Sequence, residues 1–148
     1  MRRARSVSFE IVFHDERAQG QDWWTTQMPI TLAIDHTRRE IQAVASGHVD
    51  FAEIEAHLFE QRDSESLAYP EFVDGRTAEA AFSPADVYRI VELLRRLKEK
   101  SAIGRKAVVA PAGHAFGLVR MIEMLAEGFC EVKGFLDEDE ARAWLAAK

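Results

Sequence analysis

Residues 69–97, YPEFVDGRTAEAAFSPADVYRIVELLRRL, decide how this chain folds. Tyr69 to Asp74 reads as a strand, and Gly75 to Phe82 connects it to Ser83-Pro84-Ala85-Asp86, a helix start with proline preset at the first helical position. Val87, Ile90, Val91, Leu94 and Leu97 then recur at helical spacing, while Arg89, Glu92, Arg95, Arg96 and Lys98 fill the remaining face. A strand followed by an amphipathic helix is the repeating unit of a sheet with crossover helices.

Working outward, the same unit recurs on both sides. Ile30 to Asp35 and Glu40 to Gly47 read as a hairpin around the polar 35–39 turn, and Asp50, three residues before Glu53, opens a helix over about 51–64. Downstream, Gly104 closes the long helix and Lys106 to Ala110 makes a buried strand. A helix follows from His114 to about Glu127, with Leu118, Ile122 and Leu125 inward and Met121 and Met124 beside them. Cys130 to Leu136 is a fifth strand. Four acids, Asp137 to Glu140, open a last helix, where the positive end of its dipole favours them. The expected architecture is α/β: a mixed sheet with an opening hairpin, then alternating strands and helices, with about four helices packed on it.

The 148 residues suffice for one compact domain, and a hydrophobic fraction of 47% excludes wholesale disorder. Residues 28–148 carry the domain pattern. Residues 1–27 read as an N-terminal extension ending in a polar joint, with alternating Val7, Phe9, Ile11 and Phe13 fit for an added edge strand. A flexible leader, or a true start at Met28, are the other readings. No run approaches the roughly 18–20 apolar residues of a membrane span, so a soluble, cytoplasmic protein is expected. The 25 acids against 19 bases, net −6, disfavour nucleic acid as a partner. A single cysteine, Cys130, excludes a disulfide framework and suits a reducing compartment.

Catalytic chemistry does not announce itself. His14, His36, His48, His57 and His114 are scattered without metal-ligand spacing, and each reads as a polar edge residue. His114 stands at a helix start in a small loop, Ala112-Gly113-His114-Ala115-Phe116-Gly117, whose glycines do not fit a nucleotide fingerprint. No metal and no cofactor is expected. Ser83 reads first as a helix cap and second as a hydroxyl placed for phosphorylation, with Thr77 a weaker position in the same connection. The cluster Arg95, Arg96, Lys98, Lys100, Arg105 and Lys106 reads as a solvated, helix-stabilising face.

Taken together, MPITLAID (28–35), the 69–97 segment, KAVVAPAGHAFGLVRMIEMLAE (106–127) and FLDEDEARAWL (135–145) resemble the bacterial stage II sporulation protein AA-like proteins of the STAS superfamily, over about residues 28–146. The resemblance implies a small sheet with helices on one side. It also implies docking to a kinase partner through the third-strand-to-second-helix region, with release on phosphorylation of a serine at the helix start. Mapped here, that region runs from Asp74 to Asp86 and includes Thr77 and Ser83. Those antagonists carry Asp-Ser-Ser or Asp-Ser-Thr, whereas this chain has Phe82-Ser83-Pro84, which speaks against phosphoregulation. In architecture the family also resembles lipid carriers of the CRAL-TRIO type.

Two functions therefore compete. One is a non-enzymatic protein-interaction or regulatory module of a bacterial signalling pathway, with a protein partner and, through an exposed sheet edge, a homodimer as its expected associations. The other is a carrier or sensor of a small apolar, lipid-like ligand, in a pocket between sheet and helices lined by Phe82, His114, Phe116, Met121 and Met124. A cavity beneath the second and third helices favours the carrier; a filled core favours the docking module.

Overall fold

The computed structural model describes residues 9–13 and 29–147; of residues 9–13 it describes the backbone alone. His14, the Met28 start and the rest of the N-terminal extension lie outside the described residues. The strands are β1 (Phe9–Phe13), β2 (Ile30–Asp35), β3 (Glu40–Val49), β4 (Glu71–Ala80), β5 (Lys106–Val109) and β6 (Val132–Phe135). The helices are α1 (Phe51–Asp63), α2 (Pro84–Lys100), α3 (His114–Leu125) and α4 (Glu138–Ala146).

The sheet runs in simple sequence order, β1-β2-β3-β4-β5-β6. β2 runs antiparallel to both of its neighbours, β1 and β3, and β3 through β6 are parallel. That order settles where the helices go. Each parallel crossover steps in the same direction along the sheet, and crossovers share one hand, so α1, α2 and α3 all fall on one face. α4 follows the last strand and obeys no such constraint. It packs on the opposite face, where Phe72, Ala107, Val109 and Phe135 meet Ala141, Trp144 and Leu145. The helices therefore cover both faces rather than one.

Strand periodicity separates the two layers. Along β2 and β3, Ile30, Leu32, Ile34, Ile41, Ala43 and Ala45 are buried on the α1–α3 face, while the alternate positions are not. The principal core joins Val87, Ile90, Val91, Leu94 and Leu97 of α2 to Leu118 and Ile122 of α3, the stripe expected from the sequence. Cys130 is buried in this core, and burial pushes its thiol above the usual range, against a smaller opposing pull from Lys106 and Lys98.

β4 is longer than the sequence suggests. It continues through Gly75 to Ala80, a stretch that reads as a connection, because a register shift between Val44 and Ser46 lets the strand bend and keep pairing with β3 out to Val49. α2 then starts on a complete capping box. The Ser83 hydroxyl accepts from the Asp86 amide at 3.2 Å, and the Asp86 carboxylate accepts from the Ser83 amide at 3.0 Å.

Two substitutions test this framework by chemical denaturation. Ser83→Ala removes the cap and is expected to cost about 1 kcal/mol. Gly104→Ala would drive a methyl group into the backbone of Ala68 and Tyr69, with an expected loss of about 1–3 kcal/mol, as for other overpacked sites.

Candidate functional site: an apolar cavity above a buried charge cluster

Between the sheet and α1–α3 lies a cavity of about 160 Å³ whose wall is almost entirely carbon. Strands supply Ile30, Val49, Val73 and Val108; α1 supplies Ile54, His57 and Leu58; α2 and α3 close it with Ile90, Leu94, Val119 and Ile122. Its origin is visible in residue size. Toward the carboxyl ends of the parallel strands the lining is Gly75, Ala78, Ala80, Ala110 and Ala115; larger aliphatic side chains at the alanines would fill the space, whereas at Gly75 a Cβ would press on the Val109 carbonyl. Of these, Ala78, Ala80 and Ala115 are half-buried, whereas the lining at the amino ends is fully buried. The cavity thus approaches solvent at the carboxyl ends, the side of a parallel sheet where ligands usually bind.

The opposite end rests on four buried polar side chains. Glu71 and Lys106, the first residues of β4 and β5, are register partners, and Lys106 Nζ donates to Glu71 Oε1 at 3.0 Å. The His57 imidazole Nε2 lies 2.5 Å from Glu71 Oε2, and an ionised carboxylate can only accept. Gln61 completes the set, donating to Glu71 Oε1 and accepting from Lys106 Nζ, both at 3.0 Å. Glu71 is 1% exposed. Desolvation alone would raise its pKa, but the Lys106 charge, the His57 ring and their hydrogen bonds together hold the carboxyl well below its ordinary range.

The residues expected from the sequence to act together are distributed differently. Asp74 sits on the α4 face, where Arg76 grips it at 2.8 and 2.9 Å and also reaches Glu138 at 3.0 Å; the Arg76 hydrogen bond holds the Asp74 carboxyl below its usual range. Ser83 and Asp86 close on each other, and the Ser83 amide keeps the Asp86 carboxyl low. Thr77 is exposed. Asp74 is thus engaged with α4 on one side of the sheet, while Ser83 and Asp86 begin a helix on the other.

Of the expected pocket residues, Phe82 lines the cavity. His114 is exposed, Met124 is 66% exposed, Met121 is half-buried against the main core, and Phe116 lies over Gly134. The phase of α3 explains this: Ala115, Val119 and Ile122 form its cavity-facing stripe.

Sequence reading missed the charge cluster. Its members come from three separated stretches, and only His57 and Gln61, four apart on one helix, carry a local signal. Among the described residues, no group of three or more His, Cys, Asp or Glu could hold a metal ion, and no helix is long and apolar enough to cross a membrane.

No protein-family model and no curated protein matches this chain. Its structure is similar to that of an uncharacterised DUF3478-family protein with a SpoIIAA-like fold from Shewanella loihica PV-4. The two share 18% identity at a TM-score of 0.53, over 79% of this chain and 93% of the other. The chain has a SpoIIAA-like, STAS-type fold, as its sequence blocks suggested.

Linkage gives the cluster a measurable signature. In the unfolded chain Glu71 titrates near 4.5, and in the folded protein well below it. Its contribution to stability is complete above the unfolded value and is lost progressively as pH falls from there through the lower folded value, because the unfolded chain binds the proton first. Replacing Lys106 with Met removes the charge paired with the buried carboxylate and leaves it only the hydrogen bonds of His57 and Gln61, with an expected loss of about 3 kcal/mol at neutral pH. Glu71→Gln/Lys106→Met should recover much of that loss. Below pH 4.5 its stability should fall less steeply than wild type, by up to about 1.4 kcal/mol per pH unit, in denaturant titrations across pH 3–7.

Proposed function

We propose that this STAS-like chain is a non-enzymatic sensor or carrier that takes a small, uncharged apolar ligand between its sheet and α1–α3. The observation that carries the reading is the cavity itself. A void of about 150 Å³ lined by aliphatic and aromatic groups stays dry and accepts benzene, and this one is of that size and character. The fitting ligand is one ring or a short alkyl chain. A charged group would be poorly received, because the wall offers almost no polar atom and the cluster's hydrogen bonds join its members to one another.

Protein docking at the β4–α2 junction is the second reading, favoured by Tyr88, which is 60% exposed on the first turns of α2 close to Ser83. In that role the module would serve a bacterial, cytoplasmic signalling pathway. The complete Ser83–Asp86 box supports a structural use of the serine over a phosphorylated one.

Titration with benzene, followed by methyl chemical shifts, tests the cavity reading. Shifts are expected for Val49, Val108, Val119 and Ile122, with little effect from hexanoate at equal concentration. Ala115→Leu, which fills the void from α3, should weaken benzene binding at least tenfold without lowering Tm. Unchanged spectra for wild type in saturating benzene would sink the proposal.

A further inference from the structure

The three helices over the cavity are held by different chemistry. α2 is seated by six buried apolar side chains, Val87, Ile90, Val91, Leu93, Leu94 and Leu97, and α3 by Leu118, Val119 and Ile122. α1 buries His57, Leu58 and Gln61. Two of those three are polar, and both bond to the charged pair on β4 and β5. Its hydrophobic residues Phe51, Ile54 and Phe59 are only half-buried.

The two kinds of seat respond oppositely to water. Lifting α2 or α3 would expose apolar surface with no compensation. Lifting the carboxyl-terminal half of α1 would exchange hydrogen bonds between protein groups for bonds to water, and would return the hydration that Glu71 and Lys106 gave up on burial. α1 also carries Ile54, His57 and Leu58 of the cavity wall. Its first turn is anchored by the Asp50 cap and by Arg89, which stacks over Phe51 at 3.9 Å, and its last turn is closed by the Ser64–Ser66 bonds back to Glu60 and Gln61. The first turn is therefore a pivot about which the carboxyl-terminal half can lift and return to one position.

From this we infer that α1 is the moving wall of the cavity, latched by the His57–Gln61–Glu71–Lys106 cluster and released when water enters it. The inference rests on the cavity reading and names how that site is controlled. Opening is then a local event that leaves the α2–α3 core intact.

Native-state hydrogen exchange on the wild-type protein needs no variant and decides the structural part. Amides of α1 from Ile54 to Gln61 should exchange at least tenfold faster than core amides of α2 and α3, as a separate group. Exchange of α1 together with α2 at the global rate would overturn the inference. A second arm replaces the polar seat, His57→Leu/Gln61→Leu/Glu71→Leu/Lys106→Met. If this variant folds, α1 exchange should slow toward that of α2, and benzene association, read from NMR line shapes, should slow at least tenfold. Unchanged α1 exchange in the folded variant would equally reject the latch. If benzene binds neither protein, the ligand proposal fails while the exchange data still judge α1.

Discussion

Two charges of opposite sign, paired side by side at the start of neighbouring parallel strands, are the constraint around which this fold is arranged. Glu71 and Lys106 are fixed by strand register, so neither can leave the other without disturbing β4 or β5. Such a pair is costly to bury and more costly to break. It is tolerated here because Gln61 bonds to both partners and His57 to Glu71 in the same small volume. The cluster thereby positions α1 on the sheet, and α1 in turn forms one wall of the cavity.

The cavity is the counterpart of that arrangement at the other end of the strands. Parallel strands covered on both faces are ordinarily packed with Val, Ile and Leu. Here β4 presents Gly75, Ala78 and Ala80 beneath the helices, Ala110 follows the end of β5, and α3 adds Ala115. Close packing normally penalises such a void through lost contacts. The large side chains of α2 pack against Leu58 of α1 and against Leu118 and Ile122 of α3, so that only Ile90 and Leu94 among them border the void.

Much of this was legible in the sequence for physical reasons that are local. The α2 stripe, the Ser83 and Asp50 caps and the acidic start of α4 each depend on residues within a turn or two of one another, and all occur where the pattern places them. The continuation of β4 to Ala80 was not legible, because it depends on a bulge in its pairing with β3. Lys106 read as part of an exposed basic run, and His57 as a polar edge residue, because their shared partner Glu71 lies on another strand. The cavity was hidden for a related reason. Small residues in a strand show their effect only when the facing helix fails to fill them, and that depends on the phase of α3 across the sheet.

The inner cavity and the outer surface meet at Phe82. It precedes the Ser83 cap, lines the cavity, and belongs to the same buried cluster as Val87, four residues into α2. This is the arrangement of a hydrophobic staple, in which the residue before the cap sets the angle at which the chain enters the helix. A group occupying the cavity therefore bears on the side chain that orients the first turn of α2. On the outer side of that turn the capping Ser83, Pro84 and Ala85 are exposed, with Tyr88 following. The cavity wall and the entry to α2 thus share one side chain, Phe82.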